Sequence, residues 1–193
     1  MKTVSNVIGS DRKIVTQSQK SFQSSATILN YLDVIAEKLG EIAAATNQTK
    51  TIEIIELNVA LAVKYTKPVN LNVVGVETST GNLSLAYTHL GNGTVLASAE
   101  IPEETFKNKS QIVYSFLFRN DMLFQTGKQL SALEAGDKLP IQVSSQVLAV
   151  SVGKGKVANL TSQVLFVFKK KIFPKDSKKF DNLCTFWDPT TRE

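Results

Sequence analysis

Along the first 49 residues, apolar side chains recur every three or four positions: Ile28, Leu32, Ile35, Leu39 and Ile42. Glu37, Lys38 and Glu41 lie off that stripe. This period predicts an amphipathic helix with one covered face. Ser25 or Thr27 suits its N-cap, and Ala43–Ala45 carry it toward an end at Thr46-Asn47. Gly40 lies inside the helix and costs about 1 kcal/mol against alanine there, so a close packing contact is expected at that position. A more polar helix is read over Asp11–Ser24. A single apolar stripe cannot bury itself, so these helices must pack on each other or on the rest of the chain.

From Thr51 the period shortens to two. Ile52 and Ile54, then Leu57, Val59, Leu61 and Val63, alternate with Glu53, Glu56, Asn58 and Lys64. Val69, Leu71 and Val73 follow, then Leu83, Leu85 and Tyr87, then the runs Ile112–Phe118, Ile141–Val152 and Val164–Phe168. Lys67-Pro68, Thr80-Gly81-Asn82, Gly91-Asn92-Gly93 and Gly153-Lys154-Gly155 punctuate them as turns. Short strands without intervening helices predict an antiparallel sandwich. The fold class is therefore α+β: a small helical part over 1–49 and a larger β-sandwich over 50–193.

Composition supports a packed core, since 42% of the 193 residues are apolar. No run approaches the ~18 apolar residues that span a bilayer. Residues 1–10 lack the apolar core of a signal peptide, so for a secreted protein the leader is expected upstream. The net charge of +5 has a local source in Lys169, Lys170, Lys171, Lys175, Lys178 and Lys179. Only Phe173 and Phe180 interleave with these lysines, too few stacking platforms for a nucleic-acid site. They read instead as a solvated loop leaving a strand, where lysine also guards against edge pairing.

Enzyme chemistry finds little material. His89 is the only histidine and sits before a glycine-rich turn, so any His-dependent triad or zinc site would have to pass through it. No cluster of carboxylates suggests calcium binding or glycoside hydrolysis. Gly153-Lys154-Gly155-Lys156 lacks the spacing of a phosphate loop and reads as a hairpin turn. No catalytic residue, metal or cofactor is expected. Glycosylation sequons at Asn47, Asn82, Asn92, Asn108 and Asn159 lean toward secretion, where the lone Cys184 would need a partner. Asn92 and Asn159, both in turns, are the expected acceptors.

The C-terminal segment is more specific. Leu183-Cys184-Thr185-Phe186-Trp187-Asp188 resembles the opening of the proteolysis site (GPS motif) of adhesion G-protein-coupled receptors. Physically, two adjacent large aromatics would anchor a late strand in the core. Upstream segments resemble the same family in order: Asn58–Val63, Ser98–Phe106 with its Ile-Pro-Glu, Val113-Tyr114 through Phe124, and Val147–Phe168 around Asn159-Leu160-Thr161. The resemblance covers roughly residues 50–188, and the helical part fits the family's helical subdomain loosely. It implies the autoproteolysis-inducing (GAIN) domain of an extracellular, membrane-anchored receptor. The implied partners are a tethered C-terminal strand and a seven-transmembrane region, with an extracellular protein or glycan as possible ligand and no nucleic acid. It also implies that Cys184 staples the late strand to a neighbour, with Phe186, Trp187 and Asp188 as structural residues of the motif. The family continues with further cysteines and His-Leu-Ser/Thr, whereas Asp188 is followed by Pro189-Thr190-Thr191-Arg192-Glu193. His89-Leu90 is followed by Gly91, which offers no hydroxyl nucleophile. The chain is thus expected to stop short of the cleavage site and to be inert as a protease. A standalone adhesive sandwich and a polycystin-like membrane protein are the alternatives.

Overall fold

The computed structural model describes residues 1–22, 24–48, 50–87, 93–124, 145–153 and 160–169. Among these, helices α1 (Lys2–Ile8), α2 (Arg12–Phe22) and α3 (Ser24–Ala45) precede eight strands. The strands are β1 (Ile52–Ile55), β2 (Val59–Thr66), β3 (Leu71–Glu77), β4 (Leu83–Ala86), β5 (Thr94–Ile101), β6 (Gln111–Phe118), β7 (Val147–Val152) and β8 (Leu165–Phe168). A 3-10 turn, Glu103–Phe106, joins β5 to β6. The fold is the expected α+β, with two antiparallel four-stranded sheets in the orders β1-β2-β6-β7 and β4-β3-β5-β8.

The first sheet is the middle of three layers. One face carries Val59, Leu61, Val63, Tyr114, Phe116 and Phe118 against Ile8, Leu32 and Ala36 of the helices. The other carries Ala60, Ala62, Val113 and Leu117 against Leu71, Val73, Leu85 and Ala99 of the second sheet. This double cover corrects the alternation read for 57–64: Ala60 and Ala62 are as buried as Val59 and Leu61. Leu57 is exposed, whereas Asn58 is buried, its amide bonded to Ser5 Oγ (3.0 Å) and its Nδ2 to the Ser5 carbonyl (2.9 Å). The short helix α1, unforeseen in the sequence, supplies that partner.

Helix α3 ends where expected, with Gln48 N–H on the Ala43 carbonyl and Asn47 in the left-handed region at φ 50°. Its start and its face are corrected. Ser25 and Thr27 fall inside the helix, and the Ser25 amide is met by Gln19 Oε1 at 2.7 Å. The covered seam is Ser25, Leu32, Ala36, Gly40 and Ala43; Ile28 and Leu39 of the expected stripe pack beside it, whereas Ile35 and Ile42 are exposed. Small residues win this seam because the helix lies so close to β6. A Cβ on Gly40 would stand 2.2 Å from Ile112 Cγ2, so the close contact expected at Gly40 is present.

Polar ties lock the layers. The Tyr87 hydroxyl crosses the sandwich to donate to the Ala62 (2.8 Å) or Val113 (3.1 Å) carbonyl. Burial pushes its pKa upward. Arg119 donates to the Leu57 carbonyl (2.8 Å), to Glu77 Oε1 (2.7 Å) and to the Gly81 carbonyl, bracing the two sheets at one end. Arg12 reaches Asp121 at 2.6 Å, and Asn120 Nδ2 donates to the Ile8 carbonyl, joining helices to sandwich.

Candidate functional site at the edge of the second sheet

Strand β8 is Leu-Phe-Val-Phe, apolar at every position, which is why the chain forms a strand here rather than a loop. It pairs with β5 over four residues, Leu165 opposite Glu100 through Phe168 opposite Ala97. Lys169 N–H adds a bond to the Leu96 carbonyl at 2.8 Å. β8 is the last strand of its sheet, so no described strand pairs with its outer edge. All four side chains are exposed, by 40–54%. Phe166 and Phe168 stack nearly parallel, centroids 6.3 Å apart, on one side of the strand. An apolar edge strand of this kind is a template for another segment unless something covers or guards it.

The approach to β8 is held by one carboxylate. Glu104, in the 3-10 turn, accepts the Thr161 amide (3.0 Å) and hydroxyl (2.7 Å) on Oε2 and the Ser162 amide on Oε1. The Ser162 amide, then the Thr161 hydroxyl and amide, pull its pKa down to about 2. The turn itself is fixed. Phe106 is fully buried, Thr105 Oγ1 donates to the Pro102 carbonyl (2.8 Å), and Glu103 N–H donates to Asn70 Oδ1 (2.9 Å). In the sequence, Glu104 belongs to the Ile-Pro-Glu stretch and shows no role of its own. Its partners lie 57 and 58 positions away, a distance at which no local pattern speaks.

Of the residues singled out in the sequence, Cys184, Phe186, Trp187 and Asp188 lie outside the described residues, as do His89, Asn92, Asn159 and the lysines beyond Lys169. The partner strand of the expected hairpin after Gly153 lies outside them too. Among the three described sequons, Asn47 and Asn108 are exposed at left-handed positions (φ 50° and 59°). Asn82 is half-buried, with its amide bonded to Thr78 Oγ1 and its sequon hydroxyl, Ser84, buried in β4. A cleft of about 340 Å³ opens between α3 and the first sheet, lined by Glu37, Tyr65, Lys107, Gln111 and Tyr114 among others. Among the described residues there is no metal-binding cluster of three His, Cys, Asp or Glu, and no helix long and apolar enough to cross a membrane.

With this geometry in place, comparison with known proteins is specific. No curated protein matches the chain. Among solved structures, the full extracellular region of zebrafish Gpr126/Adgrg6 aligns at a TM-score of 0.67 and 19% identity, a likeness that speaks to the fold. The alignment covers 96% of this chain and 23% of that one, so the chain spans about a quarter of that region. The family model for GPS, GAIN subdomain B, matches residues 4–193, from α1 through the Cys184–Asp188 segment. The chain belongs to the GPS (GAIN subdomain B) family.

Proposed function

We propose that the chain is the juxtamembrane extracellular domain of an adhesion G-protein-coupled receptor, holding a C-terminal strand whose retention or release serves signalling at the cell surface. Residues 1–49 form its helical subdomain and 50–193 its sandwich subdomain. The observation that carries this reading is β8. An apolar strand with no described strand on its outer edge, its approach bonded to Glu104, leads in sequence toward Cys184, Phe186, Trp187 and Asp188. In this reading Phe186 and Trp187 pack that late segment, and Cys184 joins it to a neighbouring strand. The role proposed for these residues is to hold that segment on the sandwich. The partners are the tethered strand and the transmembrane region.

The transcript downstream of codon 193 tests the reading. Further cysteines, a His-Leu-Ser/Thr sequence and seven apolar spans are the expected content. A stop codon at that point overturns the receptor and favours a standalone adhesive sandwich. The extracellular setting has its own check, in glycopeptide mass spectrometry of the chain from secreting cells. Asn92 and Asn159 are expected to carry glycans, with the exposed Asn47 and Asn108 as further acceptors, and unmodified asparagine at all five sequons would argue against passage through the secretory pathway.

A further inference from the structure

We infer that Glu104 is a latch: a positioning residue that holds the 160–169 segment on the second sheet and sets how often β8 leaves its edge. The other contacts of β8 are modest. Its ladder with β5 is four residues long and its residues keep 40–54% of their surface exposed, so only about half of its apolar surface helps to hold it. Of the residues just before it, Val164 packs against the sandwich core. Among the described residues, the approach is also held by the Thr161 amide and hydroxyl and the Ser162 amide, which converge on one carboxylate. Hydrogen bonds to an ionised acceptor are roughly twice as strong as neutral ones. They are also geometrically demanding, because two successive amides and a hydroxyl must converge on a single group.

The post, Glu104, stands on a well-packed turn, held by the fully buried Phe106 and by bonds to Pro102 and Asn70. The clasp therefore cannot follow the segment outward, and undocking must break all three bonds together. Because those donors hold the carboxyl near pKa 2, the latch is closed throughout the physiological pH range and is no pH sensor. It can be opened by substitution or by competition for the Thr161 and Ser162 donors. Its use in controlling a C-terminal strand rests on the receptor reading above, whereas the latch itself rests on the hydrogen bonds.

Native-state amide hydrogen exchange on the full chain tests it. Glu104→Ala is expected to speed exchange of the amides over 161–168 on the order of tenfold, with β2 and β6 amides unchanged. Glu104→Gln, which keeps an acceptor oxygen and loses the charge, should fall between Glu104→Ala and the unaltered chain. Thr161→Val removes the hydroxyl bond alone, and a smaller acceleration in the same window is expected. These two milder variants decide the matter if Glu104→Ala fails to fold. Unchanged exchange over 161–168 overturns the latch. So does an equal acceleration in β2 and β6, which would make Glu104 a support of the whole fold. A stop codon after residue 193 would sink the receptor reading and leave these rates untouched, so the two failures are distinct.

Discussion

Strands β2 and β8 are built from the same kind of residue and meet opposite fates. Val59-Ala60-Leu61-Ala62-Val63 is 0–1% exposed, while Leu165-Phe166-Val167-Phe168 is 40–54% exposed. By side-chain hydrophobicity, β8 with its two phenylalanines would be the deeper strand. What differs is position in the layering. β2 lies in the central layer, with helices on one face and the second sheet on the other. β8 closes the edge of an outer sheet. Apolar content thus states what a strand can bury, and its place in the stack states what it does bury. In β8 part of that capacity is left unspent.

The comparison breaks most readily at the central layer. Phe118 is 1% exposed, stacked on Phe116 (centroids 5.8 Å) and edge-on to Phe124 (5.0 Å). Phe118→Ala is expected to cost about 3–5 kcal/mol in urea unfolding. A loss under about 1 kcal/mol would mean that the helices do not cover this face. Gly40→Leu comes next, at about 1–3 kcal/mol or more, because its side chain must enter space held by Ile112. Trimming that neighbour in the double variant with Ile112→Ala should recover part of the loss. Strictly additive losses would show that close approach is not the cause. Tyr87→Phe comes third at about 1–2 kcal/mol, since it deletes the hydroxyl that donates to the Ala62 or the Val113 carbonyl while keeping the ring. Matched denaturant curves for the two proteins would show otherwise.

The same contrast explains what the sequence can tell. Periodicity locates β6 to within a residue (111–118 against Ile112–Phe118) and places β2, β3, β4, β7 and β8. It misjudges faces where a third layer intervenes. Ala60 and Ala62 look like neutral fillers until both sides of β2 are known to be covered. On α3, the larger Ile35 and Ile42 attract a hydrophobicity reading, but the seam belongs to Ala36, Gly40 and Ala43 because distance to β6 decides it. β5 is easily passed over: Ala97, Ala99 and Ile101 do alternate with Ser98 and Glu100, but two alanines make a weak apolar face. Glu104 carries no signal, as a carboxylate that accepts bonds from a distant loop looks like any surface acid.

Phe166→Ala gives the smallest effect and the sharpest test of the comparison. The ring is 43% exposed, and its aromatic neighbour Phe168 lies 6.3 Å away, so truncation removes half-wetted area and one stacking contact. Surface substitutions of this kind usually shift stability by about 0.5 kcal/mol, and the stack adds about as much again, so a loss of about 1 kcal/mol or less is expected. That is several-fold below Phe118→Ala although the chemical change is identical, and the ratio between the two isolates the effect of layering from the effect of residue type. Denaturation of both variants at two protein concentrations makes the measurement decisive. A concentration-independent loss near 1 kcal/mol leaves β8 as an open edge. A loss of 3 kcal/mol or more that grows with concentration would mean that a second copy covers Phe166, and that the exposed strand is an interface between chains rather than a place kept for a segment of its own.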